Sequence, residues 1–142
     1  MSDMIALDVP QTYKKTYNSP VPGEEKLLKL RGYVRLIKQS EDDCDFHLEI
    51  SEGPKTKARV IVEIPAKSTK TQEAAAKMFD LSETAKTHKY STAPQEIEVV
   101  GYAFIDLSHM CKNDAKAGCK HGSADVATVW EVHPVFSIKW AK

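Results

Sequence analysis

Apolar and polar residues alternate along three successive segments in the first half of the chain. These segments run from about residue 27 to 38, from 43 to 51 and from 57 to 64. A period of two places successive side chains on opposite faces of a β-strand, so each segment predicts a half-buried strand, with Leu36 and Cys44 on the inward faces. Pro65 ends the third strand, because proline cannot donate to a β-ladder.

The second half of the chain predicts one helix followed by two strands. Residues 71–87 carry an apolar stripe at helical spacing, preceded by Ser68 as one of three candidate N-caps. Residues 97–106 and 126–140 predict strands, separated by a long loop. Gly101 predicts a bulge or bend, and Pro134 predicts that the last strand is an edge strand or is bulged there. The inward face of that strand is expected to hold five residues: Trp130, Val132, Phe136, Ile138 and Trp140.

This order of elements, β-β-β-α-β-β, predicts a mainly β domain: a five-stranded OB-like Greek-key barrel with one helix between strands 3 and 4. We expect residues 26–142 to form the barrel. Residues 1–25, with Pro10, Pro20 and Pro22, predict an extended arm or a short edge strand outside the core.

Charge and composition limit the partners. Twenty basic residues balance twenty acidic ones among 142, so nucleic acid would have to bind a local patch. No apolar run approaches the roughly 18 residues that span a bilayer, and no membrane partner is expected. Residues 1–4 do not begin a signal peptide. The expected compartment is the cytoplasm if Met1 is the native start, and a secreted or periplasmic location if a leader was removed.

The three cysteines do not form a disulfide framework, because their number is odd. Cys111 and Cys119 share one loop and can pair in an oxidising compartment. The alternative is three unpaired thiols, with Cys44 buried in a strand. No CxxC spacing predicts a structural zinc site.

Hairpin geometry gathers polar residues on the outer face of the first three strands. A turn at Gly53 pairs Ile50 with Ala58, and it sets Glu49 opposite Arg59 and Asp45 opposite Glu63. Such a face is either a solvated wall of weak ion pairs or a binding face. Its members are Arg31, Tyr33, Arg35, Asp45, His47, Glu49, Arg59 and Glu63.

Ligand binding is the first function that this face predicts. Single-stranded nucleic acid needs stacking aromatics on a basic face, and Tyr33 is the one clear outward aromatic of the first three strands. The candidate ligand-binding residues are Tyr33, Arg35, His47, Glu49 and Arg59, with Lys112, Lys116 and Lys120 of the long loop.

A divalent metal is the second prediction. Imidazole and carboxylate ligands suit zinc or manganese, although no motif such as HExxH fixes a set. The candidate ligands are Asp45, His47, Glu63, His109 and His133. No GxSxG elbow or Gly-rich phosphate loop predicts nucleophilic or nucleotide chemistry.

Four motifs together resemble a group of uncharacterised bacterial OB-like proteins. They are the D-x-D-x-H strand from Asp43, the E-x-P strand end at Glu63, the G-Y-A-F-I-D segment from Gly101 and the W-E-V-H-P segment from Trp130. The likeness spans about residues 27–140. It implies that these polar residues share a purpose, and it assigns no reaction.

Three functions therefore stand as hypotheses. The first is a non-enzymatic OB-type module that binds an oligonucleotide or a protein partner. The second is a metal-dependent hydrolase directed at phosphodiesters. The third is a structural domain whose strand edges pair with a partner or with another copy as a homo-oligomer.

Overall fold

The segments in which apolar and polar residues alternate form the strands of the fold. The computed structural model describes residues 1, 24, 26–40, 42–81, 87–89, 94–106 and 125–142. Within these residues the elements are β1 (Leu27–Gln39), β2 (Phe46–Ser51), β3 (Arg59–Ile64), α1 (Thr69–Met78), β4 (Thr87–Lys89), β5 (Gln95–Ile105) and β6 (Val126–Trp140).

Five of these strands close into a barrel. The hydrogen-bonded neighbours run β2-β3-β6-β5-β1, and an additional pairing between β1 and β2 closes the ring. β3 and β6 are parallel, whereas the other barrel pairs are antiparallel. The short strand β4 is an addition that pairs with β1. The predicted fold class, an OB-like barrel with one helix between the third and fourth barrel strands, is confirmed.

The core fills the barrel with aliphatic side chains around one indole. Trp130 is 2% exposed, and Ile37, Leu48 and Ile105 have no exposed surface. α1 packs against β6 and contributes buried Ala75. At the end of α1 the ring of Phe79 meets Trp140 edge to face, with centroids 5.1 Å apart.

The helix is shorter than predicted. It spans Thr69–Met78 with Ser68 as N-cap, although the Ser68 side chain makes no capping hydrogen bond. Asp80 has a φ of 52°, a left-handed conformation that stops the helix and that aspartate tolerates. The predicted continuation to residue 87 is wrong, because Thr87 begins β4.

Two bulges change which residues face the core. The pairing of β1 with β2 shifts between Val34 and Leu36, so that Ile37 is fully buried and the predicted inward Leu36 is not. In β6 the pairing with β5 shifts around Gly101, so Val135 is buried whereas Phe136, predicted to face inward, is 46% exposed. The predicted irregularities at Gly101 and Pro134 are confirmed. The alternative of an edge strand is wrong, because β6 lies between β3 and β5.

The β2–β3 hairpin has a different register from the predicted one. Ile50 pairs with Val60 and not with Ala58, a shift of two residues that keeps the inward faces inward. Glu63 lies opposite His47, so the predicted direct opposition of Asp45 and Glu63 is wrong. β2 begins only at Phe46, and Cys44 is an exposed residue with a φ of 62°, not a buried strand residue.

Two described residues of the predicted arm contact the barrel. Met1 packs against the core, so the expectation that this segment lies wholly outside the core is wrong for this residue. Glu24 Oε1 accepts a hydrogen bond of 3.1 Å from the Ile105 amide. The rest of the arm and residues 107–124, including Cys111 and Cys119, lie outside the described residues. In the described part of the chain, no helix has the length and apolar character needed to cross a bilayer.

Gly101 provides the first testable prediction. A Cβ at this position would lie 2.6 Å from the Pro134 carbonyl oxygen and 2.6 Å from Val132 Cγ1, closer than real contacts allow. We expect Gly101→Ala to lower the free energy of unfolding by about 1–3 kcal/mol, the usual cost of overpacking. Urea denaturation measures this change.

The matched control is Gly53→Ala, where the new Cβ meets the hydroxyl of Thr56 at 3.1 Å in a turn. We expect a much smaller change there. Equal stability of Gly101→Ala and the wild type would contradict the close approach of β5 and β6.

Candidate metal centre

Three neighbouring strands place charged side chains on one face of the barrel wall. The face holds His47 and Glu49 of β2, Arg59 and Glu63 of β3, and Glu131 and His133 of β6. Both interpretations of the predicted face need accessible side chains, and for two of its members this is wrong: Glu49 is 0% and His47 3% exposed, and neighbouring Glu131 is 2% exposed. Buried charges require paired partners, since an unpaired buried charge is costly.

One end of this face is a chain of ion pairs. Asp125 Oδ2 lies 3.1 Å from Arg59 Nη2, and Arg59 Nη1 donates to Glu49 Oε2 at 2.8 Å. Glu49 Oε1 lies 3.6 Å from His47 Nε2. The predicted contact of Glu49 with Arg59 is therefore confirmed, although Arg59 lies opposite Ser51 in the ladder.

The other end converges on Glu63. His47 Nδ1 lies 3.2 Å from Glu63 Oε1, and His133 Nδ1 lies 3.7 Å from Glu63 Oε2. The same His133 nitrogen lies 3.3 Å from Glu131 Oε1. Phe104 packs edge to face on the His133 ring, with centroids 5.0 Å apart, and so limits how that imidazole can turn.

Asp45 reaches Glu63 from outside the ladder. Its Oδ1 accepts a 2.7 Å hydrogen bond from the Ala66 amide, which becomes available because Pro65 has ended β3. Gln72 of α1 donates to the carbonyls of both Cys44 and Ile64, at 2.9 and 3.0 Å, and holds the two segments together. The predicted closeness of Asp45 and Glu63 thus arises from this turn and not from strand pairing.

Asp45, Glu63 and His133 can hold a metal ion. Each offers one ligand atom, and the three atoms lie within 4.8 Å of one another. All three residues are partly exposed, so the group is accessible. Ligand atoms around a tetrahedral ion at about 2.1 Å lie about 3.4 Å apart, so binding would draw these atoms together by roughly 1 Å.

The pKa values in this cluster show how the charges compete. Burial lowers the pKa of His47, but hydrogen bonds to Glu49 and Glu63 outweigh it, and the pKa lies above its usual 6.5. Burial likewise lowers the pKa of His133, and Glu131 leads the carboxylates that raise it above 6.5. Burial raises the pKa of Asp45 above its usual 3.8, despite the Ala66 hydrogen bond.

The described cluster has an excess of negative charge. Its five carboxylates face one guanidinium and two imidazoles, so two negative charges remain even with both histidines protonated. One divalent cation would balance that excess. The carboxylates are those of Asp45, Glu49, Glu63, Asp125 and Glu131.

A cleft of about 560 Å³ opens beside two of the three candidate ligands. Asp45 and His133 line it together with Lys67, and Ser68 at the start of α1 forms part of its wall. The first turn of α1 contains no acidic residue. A positive helix end, a lysine, the carboxylate of Asp43 and the candidate ligands Asp45 and His133 therefore border one space.

The other predicted site residues are dispersed. Tyr33 is half-buried on β1, and Arg35 Nη1 donates to the carbonyls of Pro54 and Thr56, at 2.9 and 3.3 Å, so that it fixes the β2–β3 turn. His109, Lys112, Lys116 and Lys120 lie outside the described residues. Whether any of these residues binds a ligand stays a prediction.

Three contributors to the cluster are missing from the predicted site list, and one of them is Asp125, which pairs with Arg59. Glu131 could have been included, because the Glu-x-His spacing on one strand places both side chains on the same face. Phe104 carries no such signal, since its contact with His133 depends on the bulged pairing of β5 with β6.

Comparison with known proteins adds no relative: no protein-family model, curated protein or solved structure matches this chain. The resemblance to bacterial OB-like proteins accordingly stays a prediction.

The raised histidine pKa values predict how stability depends on pH without metal. A group whose pKa is raised by folding stabilises the fold fully below its unfolded pKa, here about 6.5, and loses that effect as pH rises through the folded pKa. We therefore expect the melting temperature in chelator to fall as pH rises above 6.5, the usual pKa of the two imidazoles.

The variant with both His47→Gln and His133→Gln isolates this effect from other titrating groups. Its melting temperature should fall less over the same rise in pH, as followed by circular dichroism. An identical pH dependence in the variant and the wild type would contradict the contacts assigned to the two imidazoles.

Proposed function

We propose that the protein is an OB-type binding module that holds one divalent ion, zinc or manganese, and binds an anionic ligand in the adjoining cleft. The single observation that carries the proposal is the convergence of Asp45, Glu63 and His133, two of which, Asp45 and His133, line that cleft. An ion held there would have protein on one side and the cleft on the other.

The donor set favours a transition metal. Magnesium and calcium favour sites made of oxygen ligands, whereas imidazole suits zinc and other transition ions, and carboxylates extend the range to manganese. Two carboxylates and one imidazole therefore fit zinc or manganese better than the alkaline-earth ions. Bidentate binding by either carboxylate would allow manganese its higher coordination number.

The residues behind the ligands resemble the supporting shell of a metal site. His47 hydrogen-bonds Glu63, and Glu131 lies against His133 Nδ1 at 3.3 Å. Such contacts fix the orientation of a ligand and tune its basicity when they use an atom that the metal does not; Glu131 therefore supports His133 when the ion takes the other ring nitrogen, Nε2. Both supporting residues are at least 97% buried, so they are held in place by the packed wall.

The cleft favours an anionic ligand. Lys67 and Ser68, the N-cap of α1, lie on its wall and favour negative charge, while a bound divalent ion would offset the carboxylates of Asp43 and Asp45 on the same wall. A phosphate or carboxylate group that coordinates the ion would meet these positive groups. The neutral net charge of the chain does not oppose this, since the attraction is local.

A metal-dependent hydrolase is the second candidate. Three protein ligands leave coordination positions for water, the arrangement of catalytic and not of structural zinc sites. A bound metal would lower the pKa of that water and polarise a phosphoryl oxygen. The observation that favours this candidate is that the three ligands are partly exposed and that Asp45 and His133 line a cleft that can admit a substrate.

Metal titration tests the proposed site. Zinc or manganese should raise the melting temperature of chelator-treated protein, and calorimetry should give one ion per chain. Asp45→Asn, Glu63→Gln and His133→Ala should each abolish or weaken this response by about tenfold or more. The matched control Asp42→Asn changes an exposed acidic residue three positions away and should respond like the wild type.

Binding should weaken as pH falls, because the metal displaces the proton favoured by the raised pKa of His133. A protein that binds no ion, or whose triad variants bind as well as Asp42→Asn, would overturn the proposed site. Metal-dependent cleavage of bis(p-nitrophenyl) phosphate, lost in His133→Ala, would favour the hydrolase over the binding module.

A further inference from the structure

The outer faces of β5 and β6 carry two aromatic residues, Tyr102 and Phe136, that take no part in the proposed ion site. Tyr102 is 42% and Phe136 46% exposed, and their rings meet with centroids 5.7 Å apart. Leu27 lies opposite Tyr102 in the ladder and is 60% exposed. Large exposed side chains that adjoin one another mark an interaction surface more often than scattered single ones do.

Three basic side chains surround Glu98 on the same outer face. Glu98 is four residues from Tyr102 on β5, so both side chains project from the outer face. Its carboxylate contacts Lys29 at 3.2 Å, Arg31 at 3.1 Å and Lys139 at 3.1 Å. Lys139 leads the three in holding the pKa of Glu98 down at about 2, so the carboxylate stays ionised.

These three cations exceed what one carboxylate neutralises. Lys29, Arg31 and Lys139 remain 64%, 54% and 63% exposed beside it. Glu96, two residues further along the same face, lowers the excess to one positive charge. The carboxylate therefore orders the cations and leaves their outer sides accessible to a polyanion.

The two features form a continuous track. Along β5 the outer face passes from Glu98 with its cations to Tyr102 with Phe136, and then to Phe104, which packs on His133. Six strand residues span about 20 Å. The track thus ends at the proposed ion site.

We propose that this track binds single-stranded nucleic acid, with bases stacked on Tyr102 and Phe136 and phosphates beside Lys29, Arg31 and Lys139. Aromatic rings next to exposed cations match the alternation of bases and phosphates in a single strand. A protein partner would need a wider apolar patch than the one around Leu27, Tyr102 and Phe136. The surface lies beyond the cleft of the proposed ion site, and its binding does not need the metal.

The experiment is fluorescence polarisation in chelator with a labelled oligo(dT) of about 12 nucleotides at two salt concentrations. The wild type should bind, and affinity should fall as salt rises. Tyr102→Ala and Phe136→Ala should each weaken binding by about tenfold or more, whereas Tyr102→Phe should retain it. Both residues are half exposed, so circular dichroism should show an unchanged fold.

Lys29→Gln and Lys139→Gln should weaken binding and reduce its salt dependence, because each removes a phosphate contact. Lys55→Gln is the charge-matched control in the exposed turn between β2 and β3 and should bind like the wild type. Absence of binding at low salt, or equal effects of Lys55→Gln and Lys29→Gln, would overturn the proposal. Self-association that Tyr102→Ala abolishes, without oligonucleotide binding, would overturn it too and assign the face to a second copy.

Because the titration is done in chelator, its failure leaves the metal proposal untouched. Loss of the ion site through Asp45→Asn should in turn leave oligonucleotide binding in chelator intact.

Discussion

The burial of negative charge between β2, β3 and β6 is the constraint on which the rest of this structure depends. Glu49 and Glu131 have almost no exposed surface, and each needs a positive partner to be stable there. The parallel pairing of β3 with β6 brings Ile61 opposite Glu131 and thereby aligns residues that are about 70 positions apart in the chain. The pairing of β3 with β6 therefore both closes the barrel and brings the charged residues of the cluster together.

That constraint also explains the proposed chemistry. Arg59 satisfies one end of the cluster through Glu49 and Asp125. At the other end, the imidazoles of His47 and His133 lie among the described carboxylates of Asp45, Glu63 and Glu131. Protonation of the histidines relieves part of the repulsion, and a divalent ion would relieve more of it. The end of the wall around Arg59 is a stable set of ion pairs that positions the strands. The end around His133 is accessible, and there a divalent metal would take the place of a proton.

Long-range alternation made much of the fold predictable, whereas turns and bulges did not. β6 occupies the predicted residues 126–140, because fifteen residues of strand composition leave little choice. The predicted register of β2 with β3 was wrong by two residues, because the turn after Gly53 can close in more than one way without exposing the core. The closeness of Asp45 and Glu63 was predicted correctly. The hydrogen bond from the Ala66 amide that holds Asp45 there was not predictable, because it depends on tertiary packing. Alternation along the second strand predicts an exposed Glu49, so that pattern does not predict its burial.

X-ray diffraction from crystals soaked in manganese or zinc, recorded at the absorption edge of the metal, is the most direct measurement of the central claim. The account predicts one strong anomalous peak within coordination distance of Asp45, Glu63 and His133, with His47 and Glu131 behind the ligands. A peak coordinated by other residues, or no peak at this wall of the cleft at saturating metal, would contradict it.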